Sequence, residues 1–153
     1  MDQKITINAS EYAIGFAPQV LATDGVGSCV AICLYNANKK AGALLHIMLP
    51  TSTGDGLNPL RFADTALRYI LDKLEAMKLS KSDFCAKLVG GAHMFKSAGP
   101  MMDLGKENLY HVGRILQENN IKIVASDVGG HIGRSLEFDL NTGLVKITTL
   151  KVE

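Results

Sequence analysis

The chain has 153 residues, 47% of them apolar and 20% charged, the make-up of one globular domain with a sizeable core. A formal net charge of +1 with no block of Lys and Arg excludes the electrostatic footprint of a nucleic-acid binder. No apolar run approaches the roughly 18 residues of a membrane span, so no membrane insertion is expected. The opening MDQKITINAS lacks the apolar stretch of a signal peptide. Three cysteines cannot all pair within the chain, so free thiols and a cytoplasmic setting are expected. No linker or repeat divides residues 1–153, which read as a single domain.

In chain order, KITIN at 4–8 alternates apolar and polar residues and predicts a strand, and YAIGFA predicts a second. Residues 29–35 form an apolar, β-branched run, NANKK a polar turn, and GALLHIMLP a second run stopped by Pro50. Two such runs about a short turn predict a β-hairpin with Ala37 and Asn38 at its tip. TSTGDGLN is a loop, after which Asn58 caps and Pro59 opens a helix. Leu60, Ala63, Leu67, Ile70, Leu74 and Met77 then recur at helical spacing as one core-facing stripe. FCAKLVGG predicts a buried strand ending in glycines, and Asp103 to Asn119 a second helix with Leu109, Val112 and Leu116 on one face. IKIVASDVGG predicts another strand, and LEFDL-NTG-LVKITTL a terminal hairpin with Gly143 in its turn. The class is α+β, with mixed sheets.

The stretch TDGVGSCVAICLYN places two glycines and two hydroxyls directly before a thiol. With the hairpin tip at Ala37 and Asn38, Tyr35 faces Lys40 and Cys29 falls directly opposite His46. Opposed residues have Cβ atoms about 4.5–5.5 Å apart, close enough for a thiol and an imidazole to share a hydrogen bond. An imidazole so placed lowers a thiol pKa and serves as its base. A slip of one residue would separate the two, because side chains alternate between faces. Gly25 and Gly27 suit a loop that offers N–H groups to a developing oxyanion, with Gly27 and Ser28 nearest the thiol. Thr23, Asp24 and Ser28 are each able to orient the imidazole, and local pattern does not choose among them.

The other candidates point elsewhere. Cys33 is about 13 Å along a strand from Cys29, too far for a disulfide or a shared metal. Cys85 sits in an apolar strand and reads as core. His93, His111 and His131 have no metal-ligand spacing and read as surface or loop residues. No metal or cofactor is expected. The glycine pairs at 90–91 and 129–130 match no phosphate-binding fingerprint and are able to shape a cleft rim.

In sequence order GSCVAICLYN, ALLHIMLP, RFADTAL, KLVGGAHMF and DVGGHIGRSLEF resemble the CheD family of chemoreceptor glutamine deamidases, over about residues 12–140. The resemblance implies that Cys29 is the nucleophile, His46 the base, and Thr23, six positions before the cysteine, the third catalytic residue. It implies stacked mixed β-sheets flanked by two main helices, akin to toxins of the cytotoxic-necrotizing-factor type. It further implies hydrolysis of receptor glutamines to glutamate, extending to receptor methyl esters, with methyl-accepting chemotaxis receptors as substrates and the CheC phosphatase as partner. Met94 and Phe95, just past a buried strand, are then expected to dock those partners. One stretch departs from the family pattern I-G-x-R-N: Leu104-Gly105-Lys106-Glu107-Asn108 carries a glutamate in place of the arginine. The alternative is a non-catalytic regulatory module that binds the phosphatase, which an intact Thr23, Cys29 and His46 disfavour. A papain-like protease lacks its CGSCW-like context here.

Overall fold

The computed structural model describes residues 3–52, 54, 58–94 and 103–150. Among these residues nine strands fall into two mixed sheets. The first has the order β1 (Lys4–Ile7), β3 (Val20–Val26), β8 (Arg134–Asp139), β9 (Val145–Thr149), with β1 and β3 parallel and the other pairs antiparallel. The second runs β2 (Tyr12–Phe16), β5 (Ala41–Ile47), β4 (Val30–Asn36), β6 (Cys85–Gly90), β7 (Lys122–Val128). Only its β6–β7 pair is parallel, joined through helix α2 (Leu104–Glu118).

Strands β4 and β5 are buried along their whole length because both faces of their sheet are covered. Even-numbered β4 residues Val30, Ile32 and Leu34 and odd-numbered β5 residues Ala43, Leu45 and Ile47 pack beneath α2 and helix α1 (Ala63–Ala76). The opposite set, Ala31, Cys33, Tyr35 and Leu44, meets Leu21, Val26, Leu136 and Phe138 of the first sheet. The architecture is therefore sheet on sheet with both helices on one outer side, the α+β arrangement expected. Each fully buried Leu or Ile of these layers contributes about 1.5–3 kcal/mol of hydrophobic stabilisation.

Three expectations are corrected. The segment Val20–Val26 is a strand, so Gly25 lies within a strand and not in the loop expected for Gly25 and Gly27. Its register to β8 shifts between Thr23 and Val26, and Gly25, at φ +65°, absorbs the extra residue. This bulge turns both Thr23 and Val26 inward despite their unlike parity. Second, the β4–β5 hairpin closes through Ala37–Lys40, not a two-residue tip, with the Asn36 side chain accepting from the Lys39 N–H at 3.1 Å. Tyr35 consequently faces Gly42, and His46 faces Ala31. Third, the helical stripe from Leu60 is not continuous. Pro59–Arg61 form one 3₁₀ turn capped by Asn58, Phe62 is extended, and α1 starts at Ala63. Met77 caps the C-terminus with 42% of its surface exposed, outside the core stripe.

Candidate functional site

Thr23 on the first sheet and His46 on the second are both buried, and they meet where the sheets face each other. Thr23 Oγ1 lies 2.8 Å from His46 Nδ1 and 2.9 Å from the carbonyl oxygen of Ile7, its register partner on β1. A carbonyl only accepts, so the hydroxyl proton goes to Ile7 and Oγ1 accepts from Nδ1–H. This fixes the tautomer: Nε2 carries the lone pair. That atom is buried and has no hydrogen-bond partner among the described residues. Burial also lowers the pKa of His46 from its ordinary 6.5, so the ring is neutral at pH 7. The backbone of His46 is held by Ser10 and Glu11, whose N–H and carbonyl meet its carbonyl and N–H at 2.8 and 3.3 Å.

Cys29 is not on the strand but in the bend that precedes it. The two-residue correction in register displaces it from the position opposite His46 yet leaves it on the same face, since an even slip preserves parity. Its side chain packs, partly buried, against the cluster between the sheets. The three consecutive carbonyls of the bend are all tied. Ala92 N–H donates to Gly27 at 2.9 Å, Asn108 Nδ2 to Ser28 at 2.9 Å, and Gly91 N–H to Cys29 at 2.7 Å. Gly90 permits this approach: at φ +113°, a Cβ there would overlap the Cys29 carbonyl oxygen and Val26. Gly105 does the same for α2, whose first turn packs on the Gly91 and Ala92 carbonyls.

The remaining candidates are dispersed. Asp24 lines a cavity of about 250 Å³ on the outer face of the first sheet, with Lys4, Glu137 and Lys146, away from His46. Ser28 is held by its carbonyl, and no hydrogen bond joins it to the imidazole, so of the three possible orienting residues the structure pairs only Thr23 with His46. Cys33 is buried in the inter-sheet core, where desolvation pushes its thiol up to about 12. Cys85 is only partly buried, against the expectation of full burial, because β6 starts near the sheet end. His93 and His111 sit beside Asp103 and Glu107 at 3.6 and 3.8 Å, and His131 is exposed. Glu107 of the departing stretch thus pairs within its own helix. Met94 is 40% exposed and its Cγ lies against Gly27; Phe95 lies outside the described residues. Among the described residues no group of three His, Cys, Asp or Glu side chains is placed to hold a metal ion.

Asn108 is the residue that sequence reasoning missed. It is fully buried in α2 and donates from Nδ2 to both Ser28 and Met48 carbonyls at 2.9 Å. Its signal was present: Gly105, Asn108, Val112 and Leu116 form the buried stripe of the helix, and a polar residue on such a stripe has a specific partner.

One electrostatic expectation is reversed. Burial raises the Cys29 pKa above its ordinary 9.0, outweighing a lowering contribution from its backbone hydrogen bond. Thiol and imidazole are both neutral at rest, and the bare Nε2 means that they share no hydrogen bond, contrary to expectation, because the register shift moves Cys29 off the position opposite His46. Alkylation of Cys29 by iodoacetamide is accordingly expected to be slow at pH 7 and to keep accelerating through pH 9, with Cys33 unlabelled in the folded protein. Peptide mapping across a pH series checks this; a rate plateau below pH 7 would establish a preformed thiolate.

Two face-to-face mixed sheets bring a buried threonine–histidine pair of fixed tautomer onto the face that also carries a partly buried thiol, which defines an α+β protein of stacked mixed sheets. The family model for CheD, described as chemotactic sensory transduction, matches residues 48–149. The chain is 37% identical over 98% of its length to the "Probable chemoreceptor glutamine deamidase CheD" of Desulfitobacterium hafniense, covering 96% of that protein. It is 39% identical to the protein of the same name from Clostridium novyi, over 96% of this chain and 93% of that one. It is 40% identical to the "Chemoreceptor glutamine deamidase CheD" of Thermotoga maritima, over 92% of this chain and 88% of that one. The chain belongs to the CheD family.

Proposed function

We propose that this protein is a chemoreceptor glutamine deamidase of chemotaxis adaptation, a protein-glutamine glutaminase acting from the cytoplasm as one domain through Cys29, His46 and Thr23. The observation that carries the reading is the bare, buried Nε2 of an imidazole oriented by Thr23, on the same face as Cys29. As the thiol attacks the glutamine δ-carbon, its proton passes to Nε2 and a C–S bond forms. The carbonyl electrons collect on oxygen. Collapse breaks the C–N bond, and Nε2–H protonates the departing amide nitrogen to ammonia. A water then gives its proton to Nε2 and attacks the thioester; the C–S bond breaks and the sulfur recovers the proton, leaving glutamate. Receptor methyl esters meet the same machinery with an easier leaving group.

In each trans peptide the N–H points opposite the C=O. With the Gly27 and Ser28 carbonyls drawn toward residues 92 and 108, the N–H groups of Ser28 and Cys29 face the other way, which supports the Gly27–Ser28 loop as oxyanion donor. The test is mass spectrometry of a receptor cytoplasmic fragment incubated with the protein. Each modified glutamine gains about one dalton, as replacement of NH₂ by OH requires, and the gain disappears with Cys29→Ala. An unmodified receptor would leave the binding-module reading.

Met94, exposed beside Gly27, is proposed to dock the receptor and the CheC phosphatase together with Phe95. Met94→Glu is expected to weaken both interactions about tenfold with an unchanged melting temperature. Titration calorimetry beside a melting curve decides it; unchanged affinities remove Met94 from the interface.

A further inference from the structure

We infer that Asn108 is a positioning residue that aims the Cys29 N–H at the reaction oxyanion, an inference that rests on the Cys29 reading above. Of the three ties on the bend at 27–29, two come from backbone N–H groups of Gly91 and Ala92, and only the middle one comes from a side chain. That side chain grips the carbonyl of the Ser28–Cys29 peptide, the unit whose N–H belongs to the nucleophile. Among the described residues the only cis peptide is Ala17–Pro18, so the 28–29 peptide is trans and its N–H is directed opposite the bond to Asn108. The same Nδ2 holds the Met48 carbonyl, two residues beyond His46. One amide therefore references the loop of the nucleophile to the strand of the base. Both partners are carbonyls, so the amide orientation is unambiguous: Nδ2 donates twice and Oδ1 is left over. Oδ1 is buried without a partner among the described residues. An apolar residue here would remove that unpaired acceptor but leave the Ser28 and Met48 carbonyls without their donor, so what the amide contributes is the grip of Nδ2 on the two loops.

Oxyanion alignment separates two reactions of one thiol. Amide hydrolysis passes through a tetrahedral oxyanion, whereas alkylation by iodoacetamide displaces iodide and forms none. In Asn108→Ala and in the isosteric Asn108→Asp, the deamidation kcat on a receptor fragment is expected to fall about 10²-fold, the scale of one lost oxyanion donor. KM and the alkylation rate of Cys29 are expected to stay within about threefold of the wild type. An unchanged kcat in a folded variant overturns the proposal. So does a parallel fall of alkylation and kcat, which would assign Asn108 to the thiol–imidazole pair, and so does failure of both variants to fold, which would assign it to assembly of the core. Cys29→Ala is measured alongside: if that variant deamidates, the cysteine reading itself fails, whatever Asn108 does.

Discussion

Replacement of Cys29 by alanine is expected to lower receptor deamidation by on the order of 10⁴-fold or more, the scale on which removing a nucleophile acts in a catalytic triad. Cys33→Ala and Cys85→Ala are expected to keep activity within about threefold, as cysteines outside the reacting group do. The contrast follows from where the three thiols stand. Cys33 shares the inter-sheet face with Cys29, but it is sealed at 1% exposure between the sheets and its pKa is pushed up to about 12. No substrate carbonyl reaches it. Cys85 pairs with Tyr35 at the opposite end of β4 from the bend that carries Cys29. Only Cys29 combines partial exposure with a place in the bend whose three carbonyls are all hydrogen-bonded. Ammonia release and the receptor mass shift, measured for all three variants at equal folded concentration, check the assignment. Activity in Cys29→Ala comparable to wild type would remove the thiol from the chemistry.

Much of this arrangement is legible in the sequence, and what is not has definite physical causes. Alternation fixes faces, so the odd-numbered residues from Cys29 to Tyr35 share one side of the sheet whatever the hairpin loop. Pair partners need the loop length, and the strand continues to Asn36, one residue past the apolar run. The resulting error of two residues is invisible to the face and changes the partner of His46 from Cys29 to Ala31. Strand β3 was hidden for a different reason. Asp24-Gly25 is turn chemistry, and here it serves as a bulge inside a strand whose ladder supplies the missing order. The role of Thr23 depends on two sheets meeting, a contact between residues 23 positions apart that no local pattern encodes. Asn108 is farther still, 80 positions from Ser28. The helices were the most legible elements, because capping and a 3.6-residue stripe are local. Even there, Phe62 breaks the stripe without interrupting its spacing, since a 3₁₀ turn before the break presents Leu60 toward the same core.

His46→Ala is expected to be nearly as damaging as loss of the thiol, on the order of 10⁴-fold, whereas Thr23→Ala is expected to cost about 10²-fold less than that. In the mechanism proposed above, His46 receives the thiol proton and delivers it to the departing amide nitrogen, so without it neither half of the reaction has a proton carrier. Thr23 acts through the ring. Its hydroxyl accepts from Nδ1–H while donating to Ile7, and this chain holds the tautomer that leaves Nε2 bare. Alanine releases the ring to the other tautomer and strands the Ile7 carbonyl, at a stability cost of about 1–3 kcal/mol. Thr23→Ser retains the hydroxyl and is expected to recover most of the activity. The pH dependence has a definite sign. Burial places the folded-state pKa of His46 below 6.5, so the unfolded chain binds the proton first as pH falls. The contribution of His46 to stability is complete above about pH 6.5 and is lost as pH drops from there through the lowered folded value. Activity follows with its own acid limb below 6.5, since a protonated Nε2 cannot accept from sulfur. The measurement is kcat/KM of wild type, Thr23→Ser and Thr23→Ala between pH 4.5 and 8, with melting curves at each pH. Wild-type activity that holds flat to pH 4.5 in still-folded protein would show that no histidine proton acceptor governs the reaction.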